Sequence, residues 1–244
     1  MCGYNLKRFT LELGGKSAAI LLEDVDLPRA LTTLAPVMAF INGQACNAPT
    51  RLLVPRSRLR ELTDGIVGAV DNMLFGDPMN PETFVGPLAS ERQRDRVASY
   101  LELGKQEGAT AALGGGRPAG YPRGWHVEKT IFTNVDNAMR IAQEEIFGPV
   151  YCVIPYADEA DAIRIANDSQ YGLAGSVWTS RPTHGVKVAA QIHSGALGVN
   201  SHTLDMAAPF GGCKQSGIGR ECGPEGLDAY IETRYMTVPK GALA

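Results

Sequence analysis

Short apolar runs of strand length alternate with amphipathic stretches of helical length along nearly the whole chain. A strand that lies parallel to its predecessor needs a long crossover, and a helix supplies it. The runs Ala18 to Leu22, Arg51 to Val54, Val150 to Ile154, Ala174 to Trp178 and Ala196 to Val199 read as strands, the first with the look of a buried parallel strand. Helices are predicted from Asp26-Leu27-Pro28 toward Phe40, from Ser57 to about Met73, from Ser90 to Gly108, from Asp158 to Asn167 and from Thr183 to Ile192, on their caps and apolar spacing. Pro36 lies inside the first and should kink it. The expected fold is α/β, a mostly parallel sheet covered by helices on both faces.

Loops rich in Pro and Gly are expected at Asn72 to Pro87, Gly114 to Gly124 and Phe210 to Gly223. Phe9 to Leu13 alternates apolar and polar before Gly14-Gly15 and reads as an interior strand. A chain that opens there is expected to have lost an upstream part. A short helix and a final strand, Tyr230 to Val238, are expected to close it.

With 23 basic and 26 acidic residues the net charge is −3, which argues against a nucleic-acid binder working by phosphate neutralisation. The longest apolar stretch, Leu31 to Ile41, is interrupted by Thr32, Thr33 and Pro36 and is too short to cross a bilayer. The five cysteines form no C-x-x-C pair and no signal peptide opens the sequence, so thiols in a reduced, cytoplasmic setting are expected rather than disulfides. No metal site is expected.

Three segments hold groups suited to chemistry. Cys46 stands in Asn42-Gly43-Gln44-Ala45-Cys46, among small neighbours where a helix ends. A thiolate there attacks carbonyl carbon if backbone N–H groups lower its pKa, although a lone cysteine is more often a buried structural thiol. Glu12 interrupts an apolar strand beside two glycines. Partial burial suits it to general-base work, while alternation alone makes it an outward-facing residue. In Glu144-Glu145-Ile146-Phe147-Gly148-Pro149 a carboxylate could accept both hydroxyls of a ribose and Phe147 could lie against a flat ring. The plainer reading is a solvated Glu pair and a hydrophobic plug.

Taken in order, Leu11-Glu12-Leu13-Gly14-Gly15-Lys16-Ser17, Gly43-Gln44-Ala45-Cys46, Glu144 to Pro149 and Pro209-Phe210-Gly211-Gly212-Cys213-Lys214-Gln215-Ser216-Gly217 resemble the aldehyde dehydrogenase superfamily. The resemblance runs from about Leu6 to Val238, with a family-like separation of Glu12 from Cys46. It implies oxidation of an aldehyde to an acid with NAD or NADP, through a thiohemiacetal and a thioester on Cys46. Glu12 resembles the general base for the hydrolytic water. Glu145 matches the carboxylate that holds the nicotinamide ribose, and Phe147 the aromatic packed by the nicotinamide. Gln93 aligns with a residue near the adenosine ribose in some relatives, and Asn200 and Phe210 fall in the pocket wall and aldehyde tunnel.

The usual family chain is longer, and its amino-terminal half carries most of the Rossmann-like dinucleotide domain. The resemblance therefore implies a remnant of that domain at 1–13, a catalytic domain at 14–215 and a carboxy-terminal tail at 216–244. The tail would return to the missing domain and end in an oligomerisation strand. Homo-oligomers, or pairing with a full-length subunit, and impaired activity of the isolated chain are expected. Two alternatives stand beside this reading. One is a non-catalytic assembly module. The other is a cofactor-free cysteine hydrolase, which would want a His base beside Cys46, and none of His126, His184, His193 and His202 lies in a readable motif.

Overall fold

The computed structural model describes residues 2–242. Met1 and residues 243–244, which belong to the two flanking segments expected above, lie outside the described residues. The elements run β1 (Leu11–Glu12), β2 (Ser17–Leu21), α1 (Leu27–Ala39), β3 (Pro49–Pro55), α2 (Leu59–Asp71), α3 (Glu91–Gln106), β4 (Thr110–Leu113) and β5 (Thr130–Thr133). There follow α4 (Arg140–Gln143), β6 (Val150–Tyr156), α5 (Glu159–Asn167), β7 (Tyr171–Gly172), β8 (Ala174–Trp178), α6 (Pro182–Ala189), β9 (Ala196–Val199), β10 (Cys213–Lys214) and β11 (Gly217–Ile218).

Seven strands form one sheet in the order β4-β5-β6-β3-β2-β8-β9. Every neighbouring pair is parallel except β4 with β5, at one edge. Because side chains alternate between faces, Ala19, Leu21, Leu52, Val54 and Trp178 pack with α1 and α2 on one side. Ala18, Ile20, Leu53, Cys152 and Val177 pack with α3, α5 and α6 on the other. The expected α/β sheet with helices on both faces is what the chain forms.

Side-chain caps fix where the helices start: Asp26 accepts from the Arg29 amide, Ser90 from Gln93 and Asp158 from Asp161. Ser57 does not cap α2. Its hydroxyl bonds to the Glu23 carboxylate instead, and a 3-10 turn over Arg56–Arg58 leads into the helix. Helix α1 continues through Pro36, because Pro36 and Thr32, whose carbonyl loses its partner, both lie on the exposed face.

Phe9 to Leu13 is not an interior strand of this chain. Only Leu11–Glu12 is paired, antiparallel to β11, and Phe9, Leu11 and Leu13 are exposed. Tyr230 to Val238 is not a strand either. A 3-10 segment over Pro224–Tyr230 is followed by extended, exposed backbone without a ladder partner among the described residues. The sequence reading also missed β4 and β5, short strands flanking the 114–124 excursion.

Candidate active site

The segments that precede β2, β3 and β6 meet at the amino ends of the parallel strands, and they carry Glu12, at the end of β1, Cys46 and Glu145. Glycine makes the convergence possible. A Cβ on Gly15 would collide with the Cys46 carbonyl oxygen, and one on Gly14 would lie 2.5 Å from a Glu145 carboxylate oxygen. The Gly15 amide donates to Glu145 Oε1 at 3.1 Å.

Cys46 follows a left-handed turn. Ile41 (φ 49°) and Asn42 (φ 58°) lie in a region that non-glycine residues rarely occupy, β-branched ones least. Side chains hold it there. Asn42 Oδ1 accepts from the Gly86 amide at 2.7 Å and Nδ2 donates to the Pro87 carbonyl at 2.9 Å. Gln44 Oε1 accepts from the Ala89 amide at 3.0 Å. The Cys46 side chain is only partly buried, so the sulfur is not sealed. Burial pushes its thiol above the ordinary range, the Glu12 and Glu145 carboxylates add to the rise, and the backbone amides of Asn47 and Cys46 oppose it. The amide donors expected from the sequence are thus present but outweighed.

Glu12 is placed by the pairing of β1 with β11, which sets it opposite Gly217. Its Oε1 is buried without a hydrogen-bond partner among the described residues. Burial raises its pKa, and Glu221 raises it further, against the Gly212 amide and Arg220. A half-buried carboxyl poised above its usual range is a competent proton acceptor near neutral pH.

Glu145 and Phe147 sit on a loop gripped by α3. Gln93 Nε2 donates to the Ile146 carbonyl at 3.0 Å and the Phe147 carbonyl at 2.7 Å. Arg96 donates to the Glu145 carbonyl and lies 5.1 Å over the Tyr100 ring, whose hydroxyl bonds to Glu144 at 2.6 Å. Phe147 is itself left-handed (φ 63°). Burial raises the Glu145 pKa, with the Gly15 amide, Arg96 and Lys16 pulling it back. Gln93 therefore holds the loop, its amide group directed at backbone carbonyls.

Phe210 is buried and exchanges backbone hydrogen bonds with Glu221. With Asn47, His202, Thr203, Leu204 and Asp205 it lines a cavity of about 250 Å³. Asn200 is not brought to this cluster. It sits at the carboxyl end of β9, left-handed (φ 51°), with its side chain bonded to both the amide and the carbonyl of Thr179. There it reverses the chain, which returns along the sheet to deliver His202 and Phe210.

Sequence reasoning missed Glu221, Arg96 and His202. Glu221 and His202 reach the site through pairings between segments far apart in the chain, which no local pattern reports. Arg96 was readable only as one charge on a charged helix face. Among the described residues no group of His, Cys, Asp and Glu is arranged to hold a metal.

The model of the aldehyde dehydrogenase family matches residues 1–236. Geranial dehydrogenase of Castellaniella defragrans is 49% identical over 97% of this chain and 49% of its own length. The 3-succinoylsemialdehyde-pyridine dehydrogenase of a Pseudomonas species is 46% identical over 97% of this chain and 50% of its own. Among solved structures, an aldehyde dehydrogenase of Mycobacterium tuberculosis complexed with NAD+ superposes with a TM-score of 0.96 at 49% identity, covering 98% of this chain and 50% of that one. The NAD+ complex of aldehyde dehydrogenase from Bacillus cereus gives 0.90 at 44% identity, over 95% and 47%. The chain spans about half the length of the curated relatives it matches, and it belongs to the aldehyde dehydrogenase family.

Proposed function

We propose that this chain carries the thiol and general-base chemistry of NAD- or NADP-dependent aldehyde oxidation, with Cys46 as nucleophile and Glu12 as base. The observation that carries the reading is the meeting of Glu12, Cys46 and Glu145 at one end of the sheet, close enough that both carboxylates act on the sulfur. The residues fit the ribose and nicotinamide end of the cofactor. Glu145 is a partly buried carboxylate seated on the Gly14-Gly15 backbone, and Phe147 presents a half-exposed ring beside it.

In this mechanism the Cys46 thiolate adds to the aldehyde carbon, and the Cys46 backbone amide helps hold the oxyanion. Glu145 would accept the ribose hydroxyls and Phe147 would flank the nicotinamide of NAD or NADP, a cofactor whose chemistry would be the two-electron oxidation that takes the Cys46 adduct to a thioester. Glu12 then takes a proton from water, which attacks the thioester and frees the acid and the thiol. Gln93 positions the Glu145–Phe147 loop, and Phe210 forms part of the aldehyde wall, reached because Asn200 turns the chain back. Residues 14–215 act as the domain that carries Cys46, with the base Glu12 supplied by the remnant at 1–13 and a tail at 216–244 following.

The test follows reduced-cofactor formation from an aldehyde with the full chain, alone and mixed with a full-length relative whose own nucleophile is replaced by Ala. Turnover that disappears in the Cys46→Ala chain supports the reading. Turnover that survives Cys46→Ala, or none in either setting, overturns it.

One observation favours a second role, assembly with another subunit. Residues 231–239 are exposed and without regular secondary structure, with Tyr235 at 93% and Met236 at 74% of their free accessibility. Such an unpaired segment is suited to adding to another sheet edge, in a homo-oligomer or on a full-length subunit.

A further inference from the structure

His202 is buried, 6% exposed, and both ring nitrogens are engaged. Nε2 lies 2.8 Å from the Asn47 carbonyl oxygen and Nδ1 lies 3.1 Å from Ser176 Oγ. Trp178 Nε1 donates to the same Ser176 oxygen at 2.9 Å. The protons in this chain have one arrangement. A carbonyl only accepts, so Nε2 carries the hydrogen. The neutral ring then accepts at Nδ1 from the Ser176 hydroxyl, whose oxygen takes the indole N–H. Every group is satisfied, and the imidazole cannot also take a proton from the thiol.

Asn47 is the residue after Cys46, and its own amide acts in favour of the thiolate. On the other side the nucleophile turn is splinted by Asn42 and Gln44. On the Asn47 side the anchor just traced leads to β8, the strand between β2 and β9, through His202 and Ser176.

We propose that His202 is a positioning residue for the Cys46 nucleophile: its Nε2–H fixes the Asn47 carbonyl and so keeps the Asn47 amide on the sulfur. The inference rests on the reading of Cys46 as nucleophile, but it concerns the thiol before any aldehyde or cofactor is present. The charged groups acting on the sulfur are Glu12 and Glu145, and Asp205 lines the cavity shared by His202 and Asn47. None of the three is altered in the test.

The experiment measures the rate of Cys46 alkylation by iodoacetamide against pH in the full chain, read site by site by peptide mass spectrometry. No aldehyde or cofactor is added, so a failure of the dehydrogenase reading leaves the result standing. In His202→Leu the pH midpoint of Cys46 alkylation should rise and the rate at pH 7.5 should fall roughly three- to tenfold, the scale of one lost hydrogen bond. His202→Gln, whose amide nitrogen reaches the Nε2 position, should restore most of the rate. His202→Asn, which reaches Ser176 but not Asn47, should behave like Leu. His184→Gln, remote from the thiol, should match the wild type. A folded His202→Leu or His202→Asn chain with an unchanged midpoint overturns the proposal. So does a His202→Gln chain as impaired as the Asn variant, which would reduce His202 to packing. Should His202→Leu fail to fold, the Gln and Asn pair decides.

Discussion

The Cys46 sulfur feels two carboxylates in one sense and two backbone amides in the other, and burial tips the balance toward the neutral thiol. Replacing Glu12 by Gln removes one of the carboxylates. The midpoint of Cys46 alkylation should then fall by roughly half a pH unit or more, even as thioester hydrolysis is lost. A rise in the midpoint would place Glu12's charge away from the sulfur. Lys16 carries a different strain. It is fully buried, its ammonium has no hydrogen-bond partner among the described residues, and burial pushes it down to about 8. An unfolded lysine holds its proton to about 10.4, so between the two values the unfolded chain binds more protons and stability rises with pH. Below pH 8 both states are protonated and the full penalty, roughly 3 kcal/mol, is present. Lys16→Met should therefore raise Tm by about 5 °C or more at pH 7. That advantage should shrink at pH 10, and an equal gain at both would show that the amine is not the source.

At the scale of elements, most of the sheet was legible and most of the site's support was not. The strand Ala174–Trp178 and the helix starts at Asp26, Ser90 and Asp158 announce themselves in local sequence, because burial on both faces and side-chain caps are local demands, while Ala196–Val199, an edge strand that is only partly buried, shows as an apolar run alone. Cys46, Glu12 and Glu145 were readable only as a set, from motifs in a known order. The left-handed turn at Ile41–Asn42 was not readable at all, since its stability comes from Gly86, Pro87 and Ala89 in another loop. That turn makes a prediction. Ile41 is 55% exposed and held at φ 49°, so Ile41→Asn relieves backbone strain at small loss of packing. It should stabilise the chain by about 1 kcal/mol in urea denaturation; a loss of stability would show the isoleucine packs more than its exposure suggests. The loop that α3 grips makes another. Gln93→Leu should speed amide hydrogen exchange at residues 145–148 several-fold and leave α5 unchanged.

Across the whole molecule, exposed apolar residues are scattered, but both flanking segments are rich in them: Tyr4, Leu6, Phe9, Leu11 and Leu13 at one end of the chain, Leu227, Tyr230, Ile231, Tyr235 and Met236 at the other. Arg8 ties the two together, donating to the carbonyls of Asp228 and Ile231 and pairing with Glu232. Exposed apolar side chains on two segments tied in this way are suited to association. The purified chain should run larger than its 26.1 kDa in light scattering, and removing residues 231–244 should reduce it toward the monomer. A monomeric parent would argue against this face as an interface. The pairing of Leu11–Glu12 with Gly217–Ile218 has a further consequence in time. Segments from opposite ends of the primary chain must meet before Glu12 reaches the sulfur, and contacts of such long range form late. During refolding, the pH response of Cys46 labelling becomes a clock. An early, unperturbed thiol should give way to the native one only in the slowest phase, after the central strands have closed.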